Sequence, residues 1–175
     1  MTAKAPLSTE AREDIIRRAW YSHDARWFAA VADEFGLDAA NRLNRRIVRT
    51  IGQAEAGRLA KALGVEAALD LGEFLEFLEA GCRLYVAPPL IEMDVSQVDE
   101  HSYEVAVTRC FVAQNIQRAG IAGGYQCAVF DRVQGWHDAL GLPLVADELP
   151  AARCPVAEGG GECRRVLAIQ QAGPP

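Results

Sequence analysis

The apolar residues of this chain change period at Pro88-Pro89, from three or four upstream to two downstream, which excludes both an all-helical and an all-strand fold. Proline lacks a backbone N–H and disfavours helix in the residue before it, so two in succession end whatever helix precedes them. The break therefore separates a helical part from a part that must build a sheet.

Upstream, Ser8 or Thr9 can cap a first helix that carries Glu10 in its first turn. Its Ile16, Trp20, His23, Trp27 and Val31 recur on one face, which is expected to meet a core, and Gly36 stops it. Asp38 can cap a second helix whose Leu43, Ile47, Ile51, Leu59 and Leu63 form the expected buried side. Arg42, Arg45, Arg46, Arg49, Arg58 and Lys61 then fall on a solvated face that pairs with surrounding acids, and Gly64 ends the helix. Gly52 and Gly57 weaken a helix interior by roughly 0.5–1 kcal/mol each relative to alanine, so they predict a kink, a break or a close helix contact. A third helix carries Leu69, Phe74, Leu75, Leu78 and Cys82, the last placed with the core.

Downstream, Ile91, Met93 and Val95 alternate with polar residues, and Tyr103, Val105 and Val107 do so again after a polar turn, which predicts an antiparallel hairpin with one buried face. Phe111 to Ala119 reads as a short helix and Tyr125 to Leu140 as a longer one entered after Gly123-Gly124. Cys163 to Ile169 returns as a strand, and the last four residues are expected to fray. The fold class is α+β: N-terminal helices packed with a small antiparallel sheet, made of the hairpin plus the C-terminal strand, and two further helices. One domain over residues 1–175 is expected, with a helical part at 8–85 and a cysteine-containing α+β part at 88–171.

The chain has 175 residues, half of them hydrophobic, and a net charge of −6. That is enough for one sizeable core. The negative balance argues against nucleic acid and anionic membranes as partners, because both require a positive field. No apolar run approaches the roughly 20 residues of a membrane span, and the first residues hold no apolar leader, so a cytoplasmic location is expected. In a reducing compartment five cysteines are poor material for a disulfide framework. A small-molecule ligand is the expected partner, and a homo-oligomer or a place in a complex stays open.

Four cysteines fall at element boundaries. Cys110 ends the second strand, Cys127 opens the longer helix, Cys154 precedes a glycine-rich loop ending at Glu162, and Cys163 begins the final strand. Boundary positions let loops turn thiolates inward while the regular elements hold the frame. Four such ligands suit zinc in a closed set, or an iron–sulfur cluster, with Arg109, Arg153, Arg164 and Arg165 near enough in sequence to offset charge. The pairs lack the tight Cys-x2-Cys knuckle, and two other readings stand beside ligation. Buried cysteines can act as small hydrophobes, or Cys127 at a helix start can serve as an activated thiol. Gly159, Gly160 and Gly161 either bring backbone N–H groups to an anion or simply connect Cys154 to the strand.

His23 and Asp24, between Trp20 and Trp27, could form a general base beside a stacking wall, or a hydrogen-bonded pair at a helix interface. His137 beside Trp136 is an alternative ligand for the cysteine cluster or a surface residue.

The stretch Trp20-Tyr21-Ser22-His23-Asp24-Ala25-Arg26-Trp27-Phe28, with Glu34-Phe35-Gly36 and Ala40-Asn41-Arg42-Leu43-Asn44, resembles the N-terminal signature of proteins grouped with L-2-amino-thiazoline-4-carboxylic acid hydrolase and a related family of unknown function. Cys110, Gln114, Gln117, Arg118, Cys127, Cys154 and Cys163 fall on the later positions of that pattern. The resemblance implies hydrolytic opening of a small cyclic amidine, with His23 and Asp24 as acid and base and Arg26 or Arg118 holding the substrate carboxylate. A metal could activate water there only with an open coordination position. The order hairpin, helices, cysteine loop and strand, with Cys154, Gly159 and Cys163, also resembles the vinyl-reductase-type small-molecule-binding domain, which implies a ligand pocket between sheet and helices. In that alternative the protein is a non-catalytic ligand-binding or sensor domain, or an accessory subunit, with structural zinc or an iron–sulfur cluster.

Overall fold

A computed structural model describes residues 6–65, 69–146, 152–160 and 163–170. Its elements run α1 (Thr9–Phe35), α2 (Leu37–Leu63), α3 (Leu71–Tyr85), β1 (Ile91–Gln97), β2 (Ser102–Cys110), α4 (Phe111–Arg118), β3 (Gln126–Cys127), α5 (Val129–Leu140), β4 (Ala152–Arg153) and β5 (Cys163–Ala168). The expected α+β class is what is found. The chain divides into two bodies, residues 1–40 and 41–175.

The first body is essentially α1. The Ser8 side chain accepts from the Ala11 N–H at its start, and Gly36 closes it by donating to the Ala32 carbonyl. The expected apolar face does not become core: none of the helix's residues is buried. Ile16, Trp20 and Trp27 are more than half exposed. Helical spacing identifies a face, but it does not say that the same chain covers it.

In the second body a three-stranded antiparallel sheet has the order β1-β2-β5. Ile91 lies opposite Cys110, Val95 opposite Val105 and Val107 opposite Cys163, with a bulge after Glu92. The alternation seen in the sequence holds, and Tyr103, Val105, Val107 and Leu167 are buried. A second, two-stranded sheet pairs β3 with β4, Cys127 opposite Ala152. Cys127 therefore lies in a strand just ahead of α5 and does not open the helix. Two residues of strand are too short to show a period. Asp70 and Glu73 form a reciprocal capping box at α3, each accepting from the other's backbone N–H at 2.8 and 3.0 Å.

Helix α2 presents a different face from the expected one. Leu43 and Ile47 are exposed at 37% and 40%, while Asn41, Glu55, Ala56 and Leu59 are buried, so the inner face also carries Arg45 and Arg49. Both arginines bind acids of α5. Arg45 clasps Asp131 through Nε and Nη2, with contacts of 2.9–3.2 Å, and Arg49 Nε meets Asp138 at 2.7 Å. In the reverse direction, Arg132 of α5 donates to Glu55 of α2, Nε to Oε2 at 2.7 Å, and Trp136 Nε1 adds a bond to the same oxygen at 3.2 Å. Such geometry lets buried charges offset their desolvation.

The ion pairs can form because the two helix backbones nearly touch. A methyl on Gly52 would run into the Arg132 carbonyl, and one on Gly135 into the Arg49 carbonyl. Gly81 of α3 likewise makes room for the Trp136 ring. The close contact expected near Gly52 is thus real, whereas Gly57 faces open space. Gly135→Ala should lower the thermal midpoint by roughly 5–10 °C, since overpacking against backbone destabilises by about 3 kcal/mol. Gly57→Ala should leave the midpoint unchanged or raise it by a degree or two, in line with about 0.5–1 kcal/mol of helix propensity. Equal melting of the two variants in a circular-dichroism scan would show that the crossing does not carry this load.

Candidate functional site

The four boundary cysteines come together. Cys110 ends β2 beside Ile91 at one corner of the larger sheet, and the register of β2 with β5 puts Cys163 at the same end. The β3–β4 pairing places Cys127 opposite Ala152, two residues before Cys154. Each of Cys110, Cys127 and Cys163 lies near enough to Cys154 that charge on one thiol opposes charge on the next. Cys127, Cys154 and Cys163 line one cavity of about 230 Å3 with Phe130, Arg153, Pro155, Glu158, Arg164 and Arg165. All five cysteines of the chain are free thiols. Among the described residues, no three His, Cys, Asp or Glu side chains stand ready as a metal-holding group.

Burial dominates the chemistry of these thiols. It pushes Cys127 up to about 12, and it raises Cys110 and Cys163 as well, although Arg165 pulls Cys163 back slightly. Cys127 is half-buried, and a thiol raised in this way is less nucleophilic at neutral pH than a free one.

Three devices hold the cysteines in place. Asn41 is 1% exposed and bridges two stretches of backbone, donating to the Gly124 carbonyl at 2.8 Å and accepting from the Gln126 N–H at 3.0 Å, which fixes β3. Gln117 at the end of α4 donates to the carbonyls of Val156 and Ala157 at 3.2 and 2.9 Å, which fixes the loop after Cys154. That loop is a tight turn: Glu158 N–H donates to the Cys154 carbonyl and Gly160 N–H to the Pro155 carbonyl at 2.8 Å. Gly159 has φ +82°, and a side chain on Gly160 would meet Pro155. These N–H groups bond carbonyls within the turn; Gly161 and Glu162 of the loop lie outside the described residues.

The arginines are engaged around the cavity. Arg153 meets Glu158 at 3.4 Å, Arg164 meets Glu104 at 2.7 Å, and the Arg165 guanidinium sits 4.6 Å from the Phe130 ring centroid. Alternation along β5 puts Arg165 on the side of Cys163 and Leu167, a signal present in the sequence. The roles of Phe130, Glu158 and Asn41 had no such signal, since the pattern around each of them does not show what it meets. Arg109 pairs with Glu92 at 3.3 Å.

The other expected site residues lie elsewhere. Trp20, His23, Asp24, Arg26 and Trp27 belong to α1, whereas the cavity is built only from the 41–175 body. Arg26 bonds the Ser22 carbonyl at 3.0 Å on its own helix, and Arg118 is the exposed last residue of α4. Cys82, half-buried, contacts Met93 sulfur to sulfur at 3.6 Å.

His137 is neither at the surface nor a ligand of the cluster. It is fully buried, its Nε2 lies 2.7 Å from the Tyr103 hydroxyl and its Nδ1 2.8 Å from the Leu142 carbonyl, with Phe74 against its ring. The carbonyl can only accept, so Nδ1 carries the proton and Nε2 accepts from Tyr103. Burial lowers its pKa to about 4 from 6.5. The fold refuses a proton that the unfolded chain takes up, so stability is full above pH 6.5 and falls as pH drops toward 4. The loss should reach about 3 kcal/mol in urea titrations at the two ends of that window, and His137→Gln should flatten the slope. A wild-type stability that stays level across the window would contradict this protonation state.

With the geometry in place, comparison adds two findings. The model of a family described as "Family of unknown function (DUF6125)" matches residues 7–134, well over half of the chain. The fold is similar to the crystal structure of a trafficking protein particle complex subunit 3 from Naegleria fowleri covalently bound to palmitic acid. That match has a TM-score of 0.58 at 11% identity and covers 93% of this chain and 97% of that one. No curated protein matches the chain.

Proposed function

This chain belongs to the DUF6125 family of unknown function, and we propose that it works as a non-catalytic binding module, an accessory subunit whose cysteine-lined cavity takes a small ligand. The observation that carries this reading is the convergence of Cys127, Cys154 and Cys163 on one cavity, with Cys110 beside it. Four elements remote in sequence would not bring four thiols to one place for packing alone when leucine or valine would pack as well. Size suggests a small ligand: about 230 Å3 lies a little below the roughly 300–1,000 Å3 usual for drug-sized molecules and equals the volume of about eight waters.

A place in a larger assembly is supported by the likeness to a complex subunit and by the indoles of Trp20 and Trp27 standing open on α1. No helix among the described residues is long and apolar enough to cross a membrane. Hydrolysis finds less support, because His23 and Asp24 sit on a helix that buries none of its residues, a poor setting for water-excluding acid–base chemistry.

The test has two arms. Native mass spectrometry of the full chain, purified without chelator, should show the chain mass plus one small bound species. Incubation with 2-amino-thiazoline-4-carboxylate should give no turnover above buffer. Turnover that His23→Ala abolishes would overturn the non-catalytic reading, and a bare chain mass would remove the ligand.

A further inference from the structure

Resting on the reading of the cavity as a binding site, we propose that its ligand is a small organic monocarboxylate, with the carboxylate held by Arg165 and an apolar body lying among the thiols. The charge of the lining, the geometry of one guanidinium and the state of the sulfurs lead there.

Three arginines and one acid line the cavity: Arg153, Arg164, Arg165 and Glu158. Two of those cations have carboxylates of their own, Arg153 with Glu158 at 3.4 Å and Arg164 with Glu104 at 2.7 Å. Among the described residues, Arg165 has no carboxylate partner and its N–H groups donate to no side chain or carbonyl. Its positive charge is thus left over beside the cavity of a chain whose net charge is −6. Arg165 is half-buried, so it has given up part of its hydration and gains more from a counter-ion than a surface cation does. A single negative charge completes the lining.

Alternation along β5 places Arg165 on the side of Cys163 and Leu167, away from the exposed Arg164 and Val166. Its guanidinium carbon lies 4.6 Å from the centroid of the Phe130 ring. Stacking engages the face of the planar group and leaves the N–H donors, which lie in its plane, for a ligand. Those donors form a fork that matches the two oxygens of a carboxylate. The ring behind the fork also fixes its plane, so less freedom is lost when a ligand is taken up.

The sulfurs decide what the rest of the ligand is. Burial raises Cys127 and Cys163, and at Cys163 it outweighs the pull of Arg165, so both thiols are neutral at pH 7. A thiolate would satisfy Arg165 and repel an anion, whereas neutral thiols do neither. A protonated cysteine behaves as a small hydrophobe, and Cys127, Cys154 and Cys163 share the lining with Phe130 and Pro155. Such walls suit a few carbons, and a space of about eight waters holds no more. Phosphate, with up to about two negative charges at neutral pH, brings more charge than the one unpartnered cation answers. A cationic amidine would meet the arginines as like charge.

The test is calorimetric titration of the full chain with acetate, butyrate and benzoate, and with butyramide and benzamide, which keep the body and lose the charge. The acids should bind and the amides should not, with affinity rising from acetate to the larger acids as more apolar surface is buried. Saturation with benzoate should raise the thermal midpoint. Arg165→Met, which keeps an unbranched chain beside Phe130, should weaken benzoate roughly ten- to hundredfold, as expected for loss of charge-assisted hydrogen bonds. Arg165→Lys keeps the charge without the fork and should fall between. Should the methionine variant fail to fold, the comparison of acids with amides on the wild type gives the same answer. Amides that bind as tightly as the acids would overturn the role of Arg165 and leave a binding cavity. Inorganic phosphate binding where the carboxylates do not would overturn the ligand class. If no probe binds, native mass spectrometry separates the two failures: a different bound species overturns the carboxylate alone, and a bare chain removes the binding reading with it.

Discussion

The crossing of α2 and α5 is the contact on which the rest of the 41–175 body depends. Two glycines let the backbones meet, and only at that distance do Arg45, Arg49 and Arg132 reach Asp131, Asp138 and Glu55. The exchange runs both ways, α2 supplying two cations and one anion and α5 the reverse, so the helices are fixed in register as well as in distance. Register matters because α5 carries three unrelated tasks along its length. Phe130 forms a cavity wall, Trp136 fills the space over Gly81, and His137 seals the core against Tyr103. A slip of one turn would displace all three together.

The architecture is legible in the sequence wherever a local period decides it. The switch at Pro88-Pro89, the hairpin of 91–110 and the return strand from Cys163 follow from alternation, and the structure reproduces them. The pattern misleads where a distant partner outweighs it. Leu43 and Ile47 look like core because leucine and isoleucine usually are, yet Arg45 and Arg49 take the inner face since Asp131 and Asp138 await them. The site is half legible: element boundaries mark the four cysteines, but only tertiary register shows that they meet. Cys127 reads as helical because a two-residue strand leaves no trace in the pattern.

The contrast between the two histidine settings also bears on function. His23 stands exposed on α1, and His137 is so enclosed that both nitrogens are already committed. The binding reading proposed above rests on the cysteine-lined cavity, although the N-terminal residues carry the more conspicuous resemblance to a hydrolase signature.

Helix α4 links Cys110 to the turn that follows Cys154 in a way that reads as a ruler. It begins directly after Cys110 and ends where Gln117 grips the turn that follows Cys154. The helix between those points sets a span of about 10 Å and a fixed rotation of roughly 100° per residue. Side chains along the exposed side of α4 can change freely without altering either quantity. A single inserted or deleted residue, by contrast, would turn Gln117 away from its carbonyls and detach Cys154 from Cys110. Descendants of such a chain should therefore drift in composition across this helix while keeping its length, an arithmetic constraint on the gene that no individual side chain reveals.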